Sequence, residues 1–248
     1  MRELLGLARS LWLYRRPGWQ QGLRLLYAPF FGPGDLAFDI GAHVGDRTLA
    51  FAALGARVVA VEPQPMFASW LRRNLGGNER VELVEQAVGA EPGVGELQVS
   101  RTTPTVSSMN LGWTRDIGKR NPTFSSVNWD RRVEVPVTTL DSLIERHGQP
   151  RFCKIDVEGH EAEVLAGLNR PLRALSVEFV SGALDVATAC LDHFERLGEY
   201  RFNAVAGERR VFCWEEWCSA EQVRDWLARG ADGISSGDVY ARLVGGKN

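Results

Sequence analysis

The run from residue 36 to residue 62 constrains this chain more than any other stretch. A short apolar segment at 36–40 leads into Asp39-Ile40-Gly41-Ala42-His43-Val44-Gly45-Asp46-Arg47-Thr48, and helical spacing follows over 47–54. A second apolar segment at 57–61 then ends on Glu62. A strand, a glycine turn, a helix and a second strand form the opening unit of an α/β sheet, in which ligands bind where the first strand ends. Gly41 and Gly45 let backbone come close to such a ligand, and the helix start beyond them offers free N–H groups.

The rest of the chain continues the alternation. Strands are predicted at 81–85, 95–100, 133–138, 152–157, 175–179, 201–205, 210–214 and 238–243. Helices are predicted at 66–75, 141–147, 162–168, 187–197 and 221–229. Val/Ile/Leu-rich strands alternating with helices predict a mostly parallel sheet covered on both faces, and the closing cluster of strands predicts an antiparallel edge strand. Two segments stand outside this pattern. Residues 101–131 are rich in Ser, Thr, Asn and Trp and too long for a plain connection, so they are read as a substrate-side insert. Residues 1–30 are read as an N-terminal helical extension that packs on the domain as a lid or serves as a homodimer contact, with residues 31–248 forming the main domain.

Charge and cysteine usage narrow the partners. The 29 Lys and Arg against 31 Asp and Glu leave a net charge of −2, so no basic field draws nucleic acid or anionic lipid. Small molecules rather than polyanions are the partners this composition leaves open. The apolar residues near the N-terminus are interrupted by Glu3, Arg9, Arg15 and Arg16, so no membrane span is expected. Cys153, Cys190, Cys213 and Cys218 form no C-x-x-C pair, which points to free thiols and a cytoplasmic setting.

Both NAD and S-adenosylmethionine fit a glycine turn followed by an acid at the end of the next strand, where Glu62 can accept hydrogen bonds from ribose hydroxyls. The glycine spacing separates them. A dinucleotide site wants bare backbone against a pyrophosphate, whereas this turn carries His43 and Asp46. S-adenosylmethionine has no phosphate, and its ammonium group suits a carboxylate such as Asp39. A second cluster, Lys154-Ile155-Asp156-Val157-Glu158-Gly159-His160-Glu161, also lies at a strand end running into a helix. Glu158 and Glu161 have a structural alternative there as acids of a first helical turn, most simply for Glu161. Glu178 adds another inward acid to an apolar run, and burying it is costly unless it is paired or used.

These motifs together resemble the FkbM family of methyltransferases over about residues 36–243. Asp39 to Gly45 with Thr48 resembles the family's D-x-G-A-N-x-G-x-x-T, with His43 in place of the common Asn. Glu62-Pro63-Gln64-Pro65 resembles E-P-x-P, and Asn74 the Asn of the following helix. Gln86-Ala87-Val88-Gly89 resembles the adenine-side segment, and 137–143 the T-L-D-x-L segment. Residues 154–167 resemble K-I-D-V-E-G-x-E-x-x-V-L-x-G, Glu178 corresponds to the acid of the next strand, and 237–240 resembles the G-D-x-x-A ending. The resemblance implies a Rossmann-like class I methyltransferase fold with a seven-stranded sheet. It also implies methyl transfer from S-adenosylmethionine to oxygen, often on a sugar or secondary metabolite, with S-adenosylhomocysteine as product.

On this reading the donor is bound by Asp39, Gly41, His43, Gly45, Thr48, Glu62, Pro63, Gln86, Ala87 and Asp156. An alcohol attacking the methyl carbon in line with its leaving group needs alignment, exclusion of water and a general base. Asp156 and Glu158 are the first base candidates and His160 the next; His43, which titrates nearest neutrality, is a further one. Glu178, Ser108 and Trp113 are assigned to the acceptor side. Trp113, Phe124 and Trp129 either wall a sugar ring or pack the insert's own core. No residue is assigned as a metal ligand, although the oxygen-only set Asp156, Glu158 or Glu178 suits magnesium and leaves a Mg2+ requirement open. The rival functions are a nicotinamide-dependent oxidoreductase and a non-catalytic nucleoside-binding partner protein.

Overall fold

A computed structural model describes residues 18–245. The leucine-rich start of the N-terminal extension, residues 1–17, lies outside the described residues. The main sheet has seven strands: β1 (Leu36–Ile40), β2 (Arg57–Val61), β3 (Val81–Val84), β7 (Phe152–Ile155), β8 (Ala174–Val180), β9 (Tyr200–Ala206) and β10 (Ser236–Leu243). Their order across the sheet is β3-β2-β1-β7-β8-β10-β9. β10 runs antiparallel to both β8 and β9, so the reversed strand lies one position in from the edge formed by β9. The expected Rossmann-like architecture is present, with the order reversing between β1 and β7, where an open α/β sheet leaves a crevice.

Three further strands, β4 (Ala87–Val88), β5 (Gly93–Val99) and β6 (Arg131–Thr138), build a separate small sheet in the order β4-β6-β5. The strands predicted at 95–100 and 133–138 therefore pair with each other across the insert. The strand predicted at 210–214 does not form. Only Phe212 makes an isolated bridge, to Val205, while its ring packs at 5.4 Å from Trp217 and 5.2 Å from Tyr240.

Helices cover both faces of the main sheet. One core layer packs α5 (Leu140–His147), α6 (Glu161–Ala166), α7 (Leu184–Leu197) and α8 (Ala220–Ala228) against the strands. The other packs α1 (Trp19–Tyr27), Phe30 and α2 (Asp46–Ala53) against Phe152 and Tyr240. Residues 19–30 of the N-terminal extension thus form part of the core: Leu23 and Tyr27 are buried, and Tyr27 sits edge-on to Phe51 at 4.8 Å. α3 (Pro65–Leu75) packs Leu71 and Leu75 against Ala60 of β2 and Val81 and Leu83 of β3. The insert carries α4 (Leu111–Arg120), started by the Asn110 side chain accepting from Trp113 N–H.

Burial on both faces explains why the central strands are nearly all apolar. The exceptions line up. Asp39 pairs in register with Lys154, Lys154 with Ser176, and Ser176 with Tyr240. One pleat further toward the strand ends, Asp238 pairs with Glu178, and Asp156 lies two residues beyond Lys154 on the same face. Because β10 is reversed, its first residues arrive at the carboxyl ends of the parallel strands.

Candidate active site

A cavity of about 390 Å³ opens at those strand ends. Its walls include Asp39, Gly41, His43, Glu62, Pro63, Gln86 and Ala87 on one side, and Asp156, Glu158 and Glu178 farther on. All of these were expected from the sequence to face one crevice, and His160 joins them.

The donor-side residues are held by local geometry. Gly41 has φ +81°, and a side chain there would collide with the Asp156 carbonyl oxygen, so only glycine lets the turn lie against β7. Gly45, also expected at the ligand, packs instead on Leu71 and Leu75 of α3. Thr48 lies behind the wall, where its hydroxyl donates to Asp39 at 2.5 Å. Burial pushes the Asp39 carboxyl up to about 6 against that bond. Glu62 accepts from the backbone N–H of His43 and of Gln64, both at 2.8 Å. Each oxygen keeps lone-pair capacity for a further hydroxyl donor. Burial outweighs those two bonds and raises Glu62 to about 7. Gln64, also on the wall, has an enclosed amide oxygen with no protein partner. A turn whose backbone meets the next strand, a fixed carboxyl after β2 and an unmet amide oxygen fit an amino-acid and nucleoside donor such as S-adenosylmethionine.

His43 is held at φ 53° with its ring edge-on to Phe67 at 4.2 Å. Burial lowers its pKa to about 4, so the imidazole is neutral and belongs with the donor-side packing. His160 starts α6 and points toward the adenine-side segment: its Nε2 lies 3.8 Å from where a Gly89 side chain would begin. Burial also lowers its pKa.

The far wall of the cavity is built on charge. Lys154 is 1% exposed and donates to Asp238 at 2.7 Å and to Asp156 at 3.1 Å. Burial alone would raise the Asp156 carboxyl, but Lys154, Arg47 and the hydrogen bonds from Lys154 and Glu178 outweigh it and hold it below its ordinary value. Glu158 and Glu178 shift the other way. Burial, together with the negative charge of Asp156, holds both well above the usual carboxylate range. Glu158 adopts φ 55°, an uncommon backbone for a non-glycine residue and one that marks functional sites. Its turn is held by Glu161, which accepts from Val157 and Gly159 N–H, and by Asn110, which donates to the Gly159 carbonyl at 2.7 Å. Glu161 thus serves the turn. At the rim, Arg47 bridges Asp46 at 2.7 Å and Glu208 at 2.9 Å, tying α2 to the loop after β9.

Two substrate-side expectations fall behind the wall. Ser108 is buried, its backbone pairing with Gln98 and its hydroxyl accepting from Asn110 N–H. Trp113 packs against Gly159, where a side chain would strike the indole, and stands edge-on to Phe124 at 5.2 Å and Trp129 at 5.9 Å. The aromatic trio belongs to a core that ties the insert to Val180 and Ala183, and of the three only Phe124 also lines the cavity. Sequence reasoning assigned no site role to Lys154, Asp238, Arg47 or Glu208. A lysine inside the buried strand Phe152–Ile155 was a signal that an acid must meet it. Nothing in the sequence pairs Arg47 with Glu208.

The Methyltransferase FkbM domain model matches residues 39–229. Two named relatives align with the chain. The 31-O-demethyl-FK506 methyltransferase FkbM of Streptomyces tacrolimicus is 28% identical over 74% of this chain and 78% of its own length. The 2-O-methyltransferase NoeI of Sinorhizobium fredii is 27% identical over 54% of this chain, which spans only 58% of NoeI. Among solved structures, a TehB-like S-adenosylmethionine-dependent methyltransferase from Corynebacterium glutamicum aligns over 95% of this chain and 93% of its own, at 12% identity and a TM-score of 0.48. With the family model covering most of its length, the chain belongs to the FkbM family and is an S-adenosylmethionine-dependent methyltransferase.

Proposed function

We propose that this methyltransferase acts on a hydroxyl oxygen of a small or sugar-like acceptor, with Asp156 taking the hydroxyl proton. The observation that carries this reading is the Asp156 carboxylate. It is kept ionised by Lys154 and Arg47 against burial, and it lines the cavity where the donor and acceptor sides meet. Both named relatives carry an oxygen position in their names. Bound S-adenosylmethionine supplies a methyl group already activated on a sulfonium. The chain's own part is then to hold, align and deprotonate. Asp39 and Glu62 fix the donor, the enclosed wall lines the acceptor up behind the methyl carbon, and Asp156 accepts the proton as the new C–O bond forms. Glu158 and Glu178, beside Asp156 on the cavity wall, serve as hydrogen-bonding groups for the acceptor.

Asp156, Glu158 and Glu178 each offer an oxygen within 4.8 Å of the others, a set that a divalent cation could use. No step here calls for Mg2+, since the Lys154 ammonium, 3.1 Å from Asp156, already supplies a positive charge beside that carboxylate. The cavity's acidity also disfavours a nucleic-acid substrate. Among the described residues no helix is long and apolar enough to cross a membrane, and all four cysteines are free, which suits a cytoplasmic setting.

The test is transfer of a labelled methyl group from S-adenosylmethionine into a pool of hydroxylated small molecules. Product bonds are identified by NMR, and Asp156→Asn and EDTA-treated protein run in parallel. O-methyl products, lost in Asp156→Asn and retained after EDTA, are expected. N- or C-methyl products, or full activity in Asp156→Asn, would sink the assignment.

A further inference from the structure

The cavity carries more carboxyl groups than its own cations meet. Eight carboxyl groups line it against Arg47 and Lys154. Both cations are already engaged twice, Arg47 with Asp46 and Glu208, and Lys154 with Asp156 and Asp238. Asp39 and Glu62 are bound by Thr48 and by backbone N–H groups on the donor side. Glu158 and Glu178 remain. Neither has a cationic partner, and the Oε2 atom of each is closed off from solvent with no hydrogen-bond partner.

Unmet carboxyl oxygens in an enclosed place cost free energy, about 1–3 kcal/mol for each buried polar atom and more for a charged one. Glu158 adds a strained backbone to that cost. Such an arrangement persists where a ligand repays it. Asp156, Glu158 and Glu178 offer three oxygens within 4.8 Å of one another, close enough for one small ligand to meet all three.

We propose that the acceptor carries a protonated amine next to the hydroxyl it presents, as in an amino sugar or a β-amino alcohol, and that Glu158 and Glu178 receive this ammonium beside Asp156. The inference rests on the methyltransferase reading and specifies the acceptor of that same site. Adjacent amine and hydroxyl groups are about 3 Å apart, which lets one ligand meet the two glutamates with its nitrogen and Asp156 with its oxygen at normal hydrogen-bond lengths. A neutral polyol would bring no cation to these two carboxyl groups.

The experiment is calorimetric titration of full-length protein saturated with S-adenosylhomocysteine, using glucosamine, N-acetylglucosamine, glucose and magnesium chloride as separate probes. Saturable glucosamine binding at least about tenfold tighter than glucose or N-acetylglucosamine is expected, the size of a charge-assisted hydrogen bond. It should fall by about tenfold or more in Glu158→Gln/Glu178→Gln, with affinity for S-adenosylhomocysteine unchanged as the check on folding. Equal binding of the three sugars, or no saturable binding of glucosamine, overturns the inference. So does magnesium binding that the double variant abolishes while glucosamine stays silent. Failure of S-adenosylhomocysteine itself to bind would instead strike the methyltransferase reading.

Discussion

Lys154→Met removes the one cation of the buried charge row and separates two effects. Its arm to Asp238 is the deeper, 2.7 Å long with side chains 1% and 9% exposed. The Asp156 partner is 31% exposed, so solvent screens that arm and little stability is assigned to it. Taking one partner from a buried pair costs about 3–5 kcal/mol, because the other charge stays uncompensated. A chain of this size loses about 2–4 °C of melting temperature per kcal/mol, so the variant should melt on the order of 6–20 °C lower. Replacing the pair with apolar groups is often neutral, so Lys154→Met/Asp238→Leu should regain much of the loss. The second effect is on titration. Burial pushes Asp156 up, and Lys154 is the largest influence opposing it. In the wild type this depressed carboxyl adds stability above its unfolded value near 3.8, and that contribution is lost as pH falls through its lower folded value. Without Lys154 the acid limb of the methyl-transfer pH profile should move to higher pH. Denaturant melts and a rate–pH profile on the three proteins test both effects. A single variant within about 1 kcal/mol of wild type, a double variant no better than the single, or an unmoved acid limb would refute the reasoning.

Glu62→Ala should weaken S-adenosylhomocysteine binding by about tenfold or more in calorimetry, since it removes the carboxyl expected at the ribose. Gly159→Ala should destabilise by about 1–3 kcal/mol in a denaturant melt, because φ is +84° and the new side chain meets the Trp113 indole. It should also lower turnover by displacing Glu158. Burial raises Asp39 to about 6 and Glu62 to about 7, above unfolded values of 3.8 and 4.5. Between those limits the folded form binds more protons than the unfolded one, so the ligand-free protein should lose thermal stability as pH rises from about 4 to about 7. A melting temperature that climbs through that window would contradict the burial of these acids.

The strand–turn–helix core was legible because burial on both faces writes itself as apolar runs: 36–40 and 57–61 coincide with β1 and β2. The small sheet was not, since an apolar run does not name its partner, and β5 meets β6 only after the insert folds back. The run 210–214 reads as a strand by composition, yet its Phe212 is drawn into an aromatic cluster with Trp217 and Tyr240. Trp113 shows the same limit. A tryptophan in a polar insert suits a ligand wall, and only tertiary packing against Gly159 reveals its structural duty.

The candidate site follows a different logic. Asp39, Asp156 and Glu178 were legible because each breaks an apolar strand near its end, where a charge is costly unless it is used. Their union depends on the reversed β10, which brings Asp238 to Lys154 across 84 residues of sequence. Lys154 takes Asp156 and Asp238, Arg47 takes Asp46 and Glu208, hydrogen bonds hold Asp39 and Glu62, and Glu158 and Glu178 are each left with one unpartnered oxygen. A sequence lists acids without partners. Strand register and the Arg47 bridge, by pairing most of them, single out the two on which the amine proposal rests.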